Sequence, residues 1–399
     1  MKFTAKAKDI RTAISRVMPC VTAKEYAPLS DMVLLKMDSK KLSVVAGNGR
    51  LVAVAKVHGV HECPDFTIAM IPGDLSAMMG SCPEEEPLMR VETVSESRCR
   101  LVIENGENSW KLGGMTDCSK HPAMSAPNPE YHSTEEMPAG WVTEILKKAS
   151  TFAKKPDTLT DKNIDQVLVS GGFVVATDRM RMVIYKRGDG VGKNASPDVE
   201  VPIAAIMAAD AMDDGDSCLF HAGNSFLKFE YASGSITSPL VAGAVFPRSW
   251  PHLVPADSPT TFYCHLKDSR ANGKVVPGLL GSVSRMLQMA GEGGMVKLIT
   301  AGDGFLRVEA VSGRTDPKGN PFPGHGSFEN VPIHDSRGIN TEFKAGFTST
   351  LADTLKAMNA DELSLSLNKA NTPMVLEAIN NGGGWGMKVL VMPEMLPNY

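Results

Sequence analysis

Several runs in this sequence contain residue types that could bind a metal or a phosphate, but each lacks the spacing that such a site requires. The H-x-x-H-x-C pattern at residues 58–63 could hold zinc, yet no second ligand pair lies nearby. The acidic run 213–216 lacks the spacing of a calcium loop. The glycine-rich stretches 291–294 and 382–386 are not followed by the Lys-Ser/Thr of a phosphate loop. No G-x-S-x-G nucleophile pattern occurs either. We therefore expect a non-catalytic protein with no metal and no cofactor.

A second group of residues could act through charge alone. Basic side chains on the outward faces of helices bind phosphates without reading bases. The apolar positions of the helix predicted from residue 141 leave four lysines on its opposite face. The candidate cations are Lys8, Arg11, Lys24, Lys147, Lys148, Lys154 and Lys155, with Arg285 as the counterpart in the last third of the chain. Lysine on an exposed helix face is also typical of an ordinary solvated surface, so both interpretations stay open.

The bulk composition is that of a globular protein. The chain has 399 residues, of which 22% are charged and 43% hydrophobic, and its formal net charge is −4. This charge neither indicates nor excludes a nucleic-acid partner, because local basic faces decide such binding. Seven scattered cysteines predict free thiols in a reducing compartment. The first residues form no apolar run of the signal-peptide kind, so we expect a soluble, cytoplasmic protein.

The elements that must position these residues are repeated. A helical segment followed by an acidic turn occurs three times, beginning at Ile71, Val201 and Phe347. The offsets are 201 − 71 = 130 and 347 − 201 = 146 residues, so the repeating unit is a whole domain. We predict three domains, at residues 1–130, 131–256 and 257–399. The last carries an extra Gly/Pro-rich stretch at 312–327, which we interpret as an exposed insertion.

Each predicted domain contains two helices, and short strands follow each helix. Apolar residues recur at helical spacing in the first helix, at Ile10, Ala13, Ile14 and Val17. The other predicted helices are 72–79, 141–152, 202–212, 276–290 and 348–358. The Gly47-Asn48-Gly49 segment predicts a hairpin between two strands. The fold class predicted is α+β, with helices packed on antiparallel sheets.

Four segments resemble one family along the whole chain. They are Met1–Thr4, the Ala176-Thr177-Asp178 segment that continues to Met182, Phe246-Pro247 with Leu253–Pro255, and Val391–Pro393. In this order, within a triplicated chain, they resemble the bacterial DNA sliding clamps, the beta subunit of DNA polymerase III. The resemblance implies three copies of a DNA-clamp domain per protomer and a head-to-tail homodimeric ring. In such a ring, helices line the hole and antiparallel sheets form the outer wall.

The resemblance also implies partners. A clamp of this family has no catalytic residues, encircles duplex DNA without reading sequence, and gives a polymerase its processivity. Its expected partners are the DNA polymerase III catalytic subunit, the clamp loader, and other polymerases and repair proteins that carry a short apolar binding motif, with no membrane partner. The groove for that motif lies between the second and third domains.

Family positions carried onto this chain give two sets of residues. The groove residues are Ile164, Thr177, Met180, Arg181, Met182, Pro247, His252, Leu253, Leu390, Met392 and Pro393. The dimer-interface residues are Trp110 and Leu112 on an edge strand, which should meet Met286 and Leu287 of another protomer. Ordinary core packing remains an alternative for Ile164 and Leu253, and edge protection remains one for Trp110.

The chain departs from the family pattern near the groove. Arg179-Met180 replaces the usual Gly-His, the segment 248–251 replaces a shorter one, and the tail after Pro393 is longer. These changes leave the partner preference open. A scaffold that binds partner proteins without loading onto DNA is therefore the alternative function.

Overall fold

The structure is a computed structural model of the chain. It describes residues 1–23, 27–60, 64–82, 85–105, 108–125, 129–153, 164–188, 198–240, 246–247, 249–255, 260–300, 304–312, 327–337, 343–367, 372–379 and 385–393. The H-x-x-H-x-C pattern extends beyond these residues, as does the insertion at 312–327. In the part of the chain so described, none of the helices combines the length and apolarity that crossing a membrane requires.

The helices follow the predicted repeat. They are α1 Ala7–Val17, α2 Pro72–Ser81, α3 Lys147–Ser150, α4 Ile203–Met212, α5 Leu279–Ala290 and α6 Ser349–Met358. Shorter helical turns lie at Met18–Cys20, Pro122–Ser125 and Trp250–Leu253, and a π-helical segment spans Trp141–Leu146.

The strands are numbered along the chain. The first nine are β1 Lys2–Thr4, β2 Val33–Asp38, β3 Lys41–Gly47, β4 Val52–Val57, β5 Phe66–Met70, β6 Leu88–Ser95, β7 Arg98–Asn105, β8 Asn108–Met115 and β9 Ser133–Met137. The next seven are β10 Gln166–Ser170, β11 Phe173–Thr177, β12 Arg181–Arg187, β13 Val199–Pro202, β14 Cys218–Ala222, β15 Phe226–Tyr231 and β16 Gly234–Pro239. The remaining strands are β17 Thr260–His265, β18 Ser269–Ala271, β19 Lys274–Val276, β20 Met295–Thr300, β21 Phe305–Val311, β22 Phe328–Pro332, β23 Asp335–Arg337, β24 Phe343–Phe347, β25 Glu362–Leu367, β26 Met374–Ile379 and β27 Trp385–Val391.

The first helix shows why the sequence pattern predicts the fold. In α1, the residues Ile10, Ala13, Ile14 and Val17 are all buried, as their spacing predicts. Asp9 in the first turn and Arg16 in the last turn complement the helix dipole. The apolar stripe therefore faces the sheet, and the opposite face of α1 is free to carry charge.

The helix predicted from residue 141 has the expected core but a different backbone. Trp141, Val142, Ile145 and Leu146 are buried, and they lie in a π-helical segment that continues into the short α3. Gly140, with φ 75°, precedes this segment. A π-helical segment has more residues per turn than an α-helix, so the residues after it point in different directions around the helix axis. The directions that 3.6-residue spacing predicts for the lysines after Leu146 therefore change.

The chain divides into two compact units, residues 1–147 with 199–243, and residues 148–198 with 244–399. In the first unit one antiparallel sheet has the order β1-β6-β7-β8-β5-β2-β3-β4-β16-β15-β14-β9. The pairing of β4 with β16, from Val52 opposite Thr237 to Ala55 opposite Gly234, makes this sheet continuous. The predicted hairpin is confirmed, because β3 and β4 pair with Gly47 opposite Val52.

The second unit has its own sheets. Eight of its strands have the order β10-β11-β12-β27-β26-β25-β17-β23, and four others the order β22-β21-β20-β24. Strands β18 and β19 form a separate hairpin. The pairing of β12 with β27 runs from Arg181 opposite Val391 to Arg187 opposite Trp385. Because sheets continue past residues 130 and 256, the three domain boundaries stay a prediction.

Candidate functional site

The second unit contains an apolar cavity of about 240 Å³ at the end of the β12–β27 pair. Met182 and Leu390 are buried and form its floor, in one core cluster with Phe246. Met180, Leu253 and Met392 are each about 40–50% exposed at its mouth. Methionine repacks at low cost, so this mouth suits apolar ligands of several shapes.

The turn between β11 and β12 holds one wall of the cavity in place. Asp178 Oδ1 accepts hydrogen bonds from the Met180 and Arg181 backbone N–H groups at 3.0 and 2.9 Å. Arg181 Nε donates to Asp178 Oδ2 at 2.9 Å, and its guanidinium lies 4.9 Å from the Phe152 ring centroid. The Thr177 hydroxyl donates to the Arg181 carbonyl at 2.7 Å. The positive charge of Arg181 is therefore compensated by Asp178 of the same turn.

Arg179 has a backbone conformation that favours glycine. Its φ is 76°, in the left-handed region, where a side chain other than glycine is strained. This is the position where the family pattern has glycine. Arg179 also lines the cavity, so the departure from the pattern places an arginine, where the family has glycine, among the lining residues.

The structure brings most of the predicted groove residues together. Nine line the cavity: Ile164, Thr177, Met180, Arg181, Met182, Pro247, Leu253, Leu390 and Met392. His252, in the helical turn Trp250–Leu253, and Pro393, just after β27, are not among its lining residues. Sequence reasoning missed Arg179 and Pro373, which do line it. That these residues bind a partner stays a prediction.

A second cavity of about 480 Å³ lies along the same pair of strands. Trp250 packs edge-on against Phe173, with ring centroids 5.6 Å apart. Lys388 and Glu377 form an ion pair at 2.7 Å on its wall. Trp250 belongs to the segment 248–251, where the sequence departs from the family pattern. This departure could have indicated from the sequence that the surface here differs from that of the family.

The predicted cations on α1 are placed as expected. Lys8 and Arg11 are both exposed, on the face opposite the buried stripe. Neither forms an ion pair with another of the described residues. Within the part of the chain that the structure describes, the two charges face solvent without a counter-ion.

The lysines after the π-helical segment differ from each other. Lys147 Nζ lies 2.7 Å from Asp210 Oδ2 of α4, and that carboxylate is mostly buried. Lys148 is exposed. Lys24, Lys154 and Lys155 lie outside the described residues. The charge of Lys147 is thus partly compensated within the first unit, unlike those of Lys8 and Arg11.

Arg285 on α5 is held by two carboxylates. Its Nε donates to Glu329 Oε1 at 2.7 Å and its Nη1 to Asp268 Oδ2 at 2.6 Å. Ser282 donates to the other oxygen of Glu329 at 2.7 Å. The hydrogen bonds from Arg285 hold the pKa of both the Asp268 and Glu329 carboxyls below their ordinary values. Arg285 is therefore a structural ion-pair centre in the second unit.

The predicted interface residues lie on two surfaces. Trp110 and Leu112 are half-buried on β8, which pairs with β7 along its length and with β5 only at Met115. Most of one edge of β8 is thus open among the described residues. Met286 is only 4% exposed and packs in the core of its own unit, whereas Leu287 is half-buried. Their role between protomers stays a prediction.

Solved structures share this fold over the whole chain. The Bacillus subtilis DNA polymerase sliding clamp matches with a TM-score of 0.78 at 16% identity, covering 100% of both chains. The beta subunit from DNA polymerase of Streptococcus pyogenes matches with 0.79 at 15% identity, covering 99% of this chain and 100% of that one. The DnaN sliding clamp of Pseudomonas aeruginosa, in complex with griselimycin, matches with 0.77 at 17% identity over the same shares. No protein-family model matches the sequence, and no curated protein matches it. The chain has the sliding-clamp fold, and the predicted α+β fold class is confirmed.

Proposed function

We propose that this protein is a DNA polymerase processivity factor, a homodimeric clamp that encircles duplex DNA. The observation that carries the proposal is the match of the whole chain to sliding clamps, which covers 100% of both chains for the Bacillus subtilis protein. A fold alone does not determine function, so the proposal also draws on the surfaces. It includes no catalytic step and no cofactor.

The exposed cations on α1 support a DNA-facing role. A ring that slides needs attraction to phosphates and no contact with base edges. Lys8, Arg11 and Lys148 supply such charge on a chain whose net charge is −4. The contribution of Arg285 is reduced, because two carboxylates already surround it.

The open edge of β8 supports a homodimer. Within each unit, a strand of one predicted domain pairs with a strand of the next, β4 with β16 and β12 with β27. By the repeat, β8 corresponds to β16 and β27, and β22, which ends the four-stranded sheet, corresponds to β4 and β12. We infer that β8 of one protomer meets β22 of a second protomer and closes a head-to-tail ring.

The apolar cavity beside the turn of residues 177–181 supports partner capture. A buried floor of Met182 and Leu390 with an exposed apolar mouth suits a short apolar motif. The expected partners are the polymerase III catalytic subunit, the clamp loader, and other polymerases and repair proteins that carry such a motif. This activity belongs in the cytoplasm, where the free cysteines that the structure describes stay reduced.

Topological retention tests the proposal. The protein is loaded onto nicked circular DNA by its cognate clamp loader and ATP and isolated with the circle by gel filtration. The circle is then cut once. We expect retention on the circle and release after cutting, because a closed ring leaves only over an end. Failure to load with the cognate loader, or retention on the linear product, would overturn the proposal.

The alternative is a scaffold with this fold that binds partner proteins but does not load onto DNA. The observation that favours it is the changed surface around Arg179 and Trp250. A scaffold would bind partner peptides and fail the loading assay. Sedimentation tests the dimer separately, and a monomer at micromolar concentration would contradict the ring.

A further inference from the structure

Two histidines and a glutamate from distant parts of the chain converge on one sheet of the second unit. His265 ends β17, Glu362 begins β25 directly opposite it, and His334 precedes β23 on the other side of β17. His265 Nδ1 lies 3.7 Å from Glu362 Oε1, and His334 Nε2 lies 3.8 Å from the same oxygen. One ligand atom from each residue falls within 4.8 Å of the others.

We propose that His265, His334 and Glu362 form a binding site for a divalent transition metal such as Zn²⁺ or Ni²⁺. Metal bonds of about 2.0–2.2 Å place neighbouring ligand atoms roughly 3.4 Å apart in a tetrahedron. The two His–Glu362 separations of 3.7 and 3.8 Å need to close by a few tenths of an ångström. The ligand nitrogens of the two imidazoles, which lie within 4.8 Å of each other, need to close by up to about 1.4 Å. Side-chain rotation supplies such a change without movement of the strands.

The ligand set determines which metal fits. Two imidazoles and one carboxylate favour zinc, nickel or copper over Mg²⁺ and Ca²⁺, which prefer oxygen ligands. All three side chains are at least 38% exposed, so the ion can enter and water can fill the fourth position. Cys264, the neighbour of His265, is buried on the other face of β17 and does not contribute.

The backbone around His334 gives the site a structural consequence. The N–H of Ile333 donates to the Gly304 carbonyl beside the four-stranded sheet, and the N–H of His334 donates to the Tyr263 carbonyl in the sheet that contains β17. The chain passes from one sheet to the other at these two residues. A metal on His334 therefore fastens this crossover to β17 and β25.

The local charges limit the affinity. Lys267 Nζ lies 3.7 Å from Asp361 Oδ1. Asp361 directly precedes Glu362, and Lys267 lies two residues after His265. This pair compensates its own charge, so the negative charge around the site comes from Glu362 and from Asp335, the neighbour of His334. Exchange of Glu362 for glutamine replaces the carboxylate ligand with a neutral amide, which binds these metals weakly, and removes one negative charge from the site.

Calorimetric titration of the untagged full-length protein with ZnCl₂, repeated with NiCl₂ and MgCl₂, tests the site. We expect saturable binding of one Zn²⁺ or Ni²⁺ per chain, no comparable Mg²⁺ binding, and a rise in the unfolding temperature with Zn²⁺. His334→Ala and Glu362→Gln should each weaken binding at least about tenfold. His132→Ala, which removes an exposed histidine of the first unit, should leave binding unchanged.

The outcome does not depend on the proposed function. Absence of saturable Zn²⁺ and Ni²⁺ binding would overturn the metal site, as would binding that survives both His334→Ala and Glu362→Gln. Circular dichroism shows whether each variant is folded, and the conservative variant His334→Gln replaces His334→Ala if that chain does not fold. Loading onto circular DNA is measured separately, so failure of one proposal leaves the other standing.

Discussion

The proposed groove, which is the apolar cavity at the end of the β12–β27 pair, and the outward face of α1 would hold their partners by different physical means. The groove places apolar atoms around a floor of Met182 and Leu390 and keeps the charge of Arg181 paired within its turn. The α1 face presents Lys8 and Arg11 without a described counter-ion. The first arrangement depends on shape and burial and is insensitive to salt, whereas the second depends on charge and weakens with ionic strength. If the proposed function holds, the protein should bind partner proteins in a way that resists salt and DNA in a way that salt weakens.

The largest expected effect is in the groove. Met392→Glu places a carboxylate at the mouth, where a bound apolar motif would strip it of water. The cost of roughly 2–3 kcal/mol corresponds to a loss of peptide affinity of about 30–150-fold. Fluorescence anisotropy with a motif peptide from a bacterial replicative polymerase measures it. Val94→Glu, at an exposed apolar residue of the first unit, is the matched control, and equal losses in both variants would contradict the groove.

Charge reversal on α1 should act on DNA and leave peptides unaffected. Lys8→Glu combined with Arg11→Glu removes two phosphate contacts, so the slope of log K against log salt should flatten by about 2. Binding to duplex oligonucleotides over a salt series measures this slope. Lys41→Glu, at an exposed lysine where β3 begins, is the control. A parallel loss of peptide affinity would mean that the two surfaces are not independent.

Arg285 should matter for stability more than for DNA. Arg285→Ala leaves Asp268 and Glu329 facing each other, and with these groups partly exposed we expect a loss of about 1–2 kcal/mol in the free energy of unfolding. Urea denaturation at pH 7 measures it. Lys356→Ala, which breaks an exposed pair with Asp353, should cost less than about 0.5 kcal/mol.

The ion pairs of Arg285 with Asp268 and Glu329 also make the free energy of unfolding depend on pH. Because Arg285 lowers the pKa of Asp268 and Glu329 in the folded protein, their stabilising contribution is present above the ordinary values of 3.8 and 4.5. It is lost as the pH falls through the lower folded values. The loss of unfolding free energy caused by Arg285→Ala should therefore become smaller as the pH falls below about 4. A loss that does not change with pH would contradict the ion-pair explanation.

The smallest expected effect is on stability, at Arg179 in the turn between β11 and β12. Arg179→Gly removes a side chain from a left-handed residue with φ 76°, and should raise the free energy of unfolding by roughly 0.5–1 kcal/mol. Lys186→Gly, one residue before the end of β12, is the control and should destabilise the protein. A destabilised Arg179→Gly variant would mean that contacts of the arginine outweigh its backbone strain.

The sequence predicts the helices well because their buried stripes repeat at 3.6 residues, as at Ile10 and Ile14 of α1. It does not predict the π-helical segment at Trp141–Leu146, since the same apolar residues would suit an α-helix. Helix α5 begins at Leu279 and not at Val276, because Val276 still belongs to β19 and Gly278 has an extended backbone before the first turn.

The candidate sites depend on contacts that no local pattern encodes. The groove residues were placed by family resemblance, and the turn hydrogen bonds of Asp178 became visible only in three dimensions. The contact between Phe173 and Trp250 joins residues far apart in the sequence. The same is true of His265, His334 and Glu362, which strand pairing brings together over gaps of 334 − 265 = 69 and 362 − 334 = 28 residues.

The two strand pairings that continue the sheets past the predicted boundaries differ in length. Strand β12 is paired with β27 over the whole length of both strands, whereas β4 meets β16 only from Val52 to Ala55. The ladder of β4 with β16 joins four residue pairs, against seven for β12 with β27. We therefore expect the backbone amides of the short ladder to exchange with deuterium sooner than those of the long one.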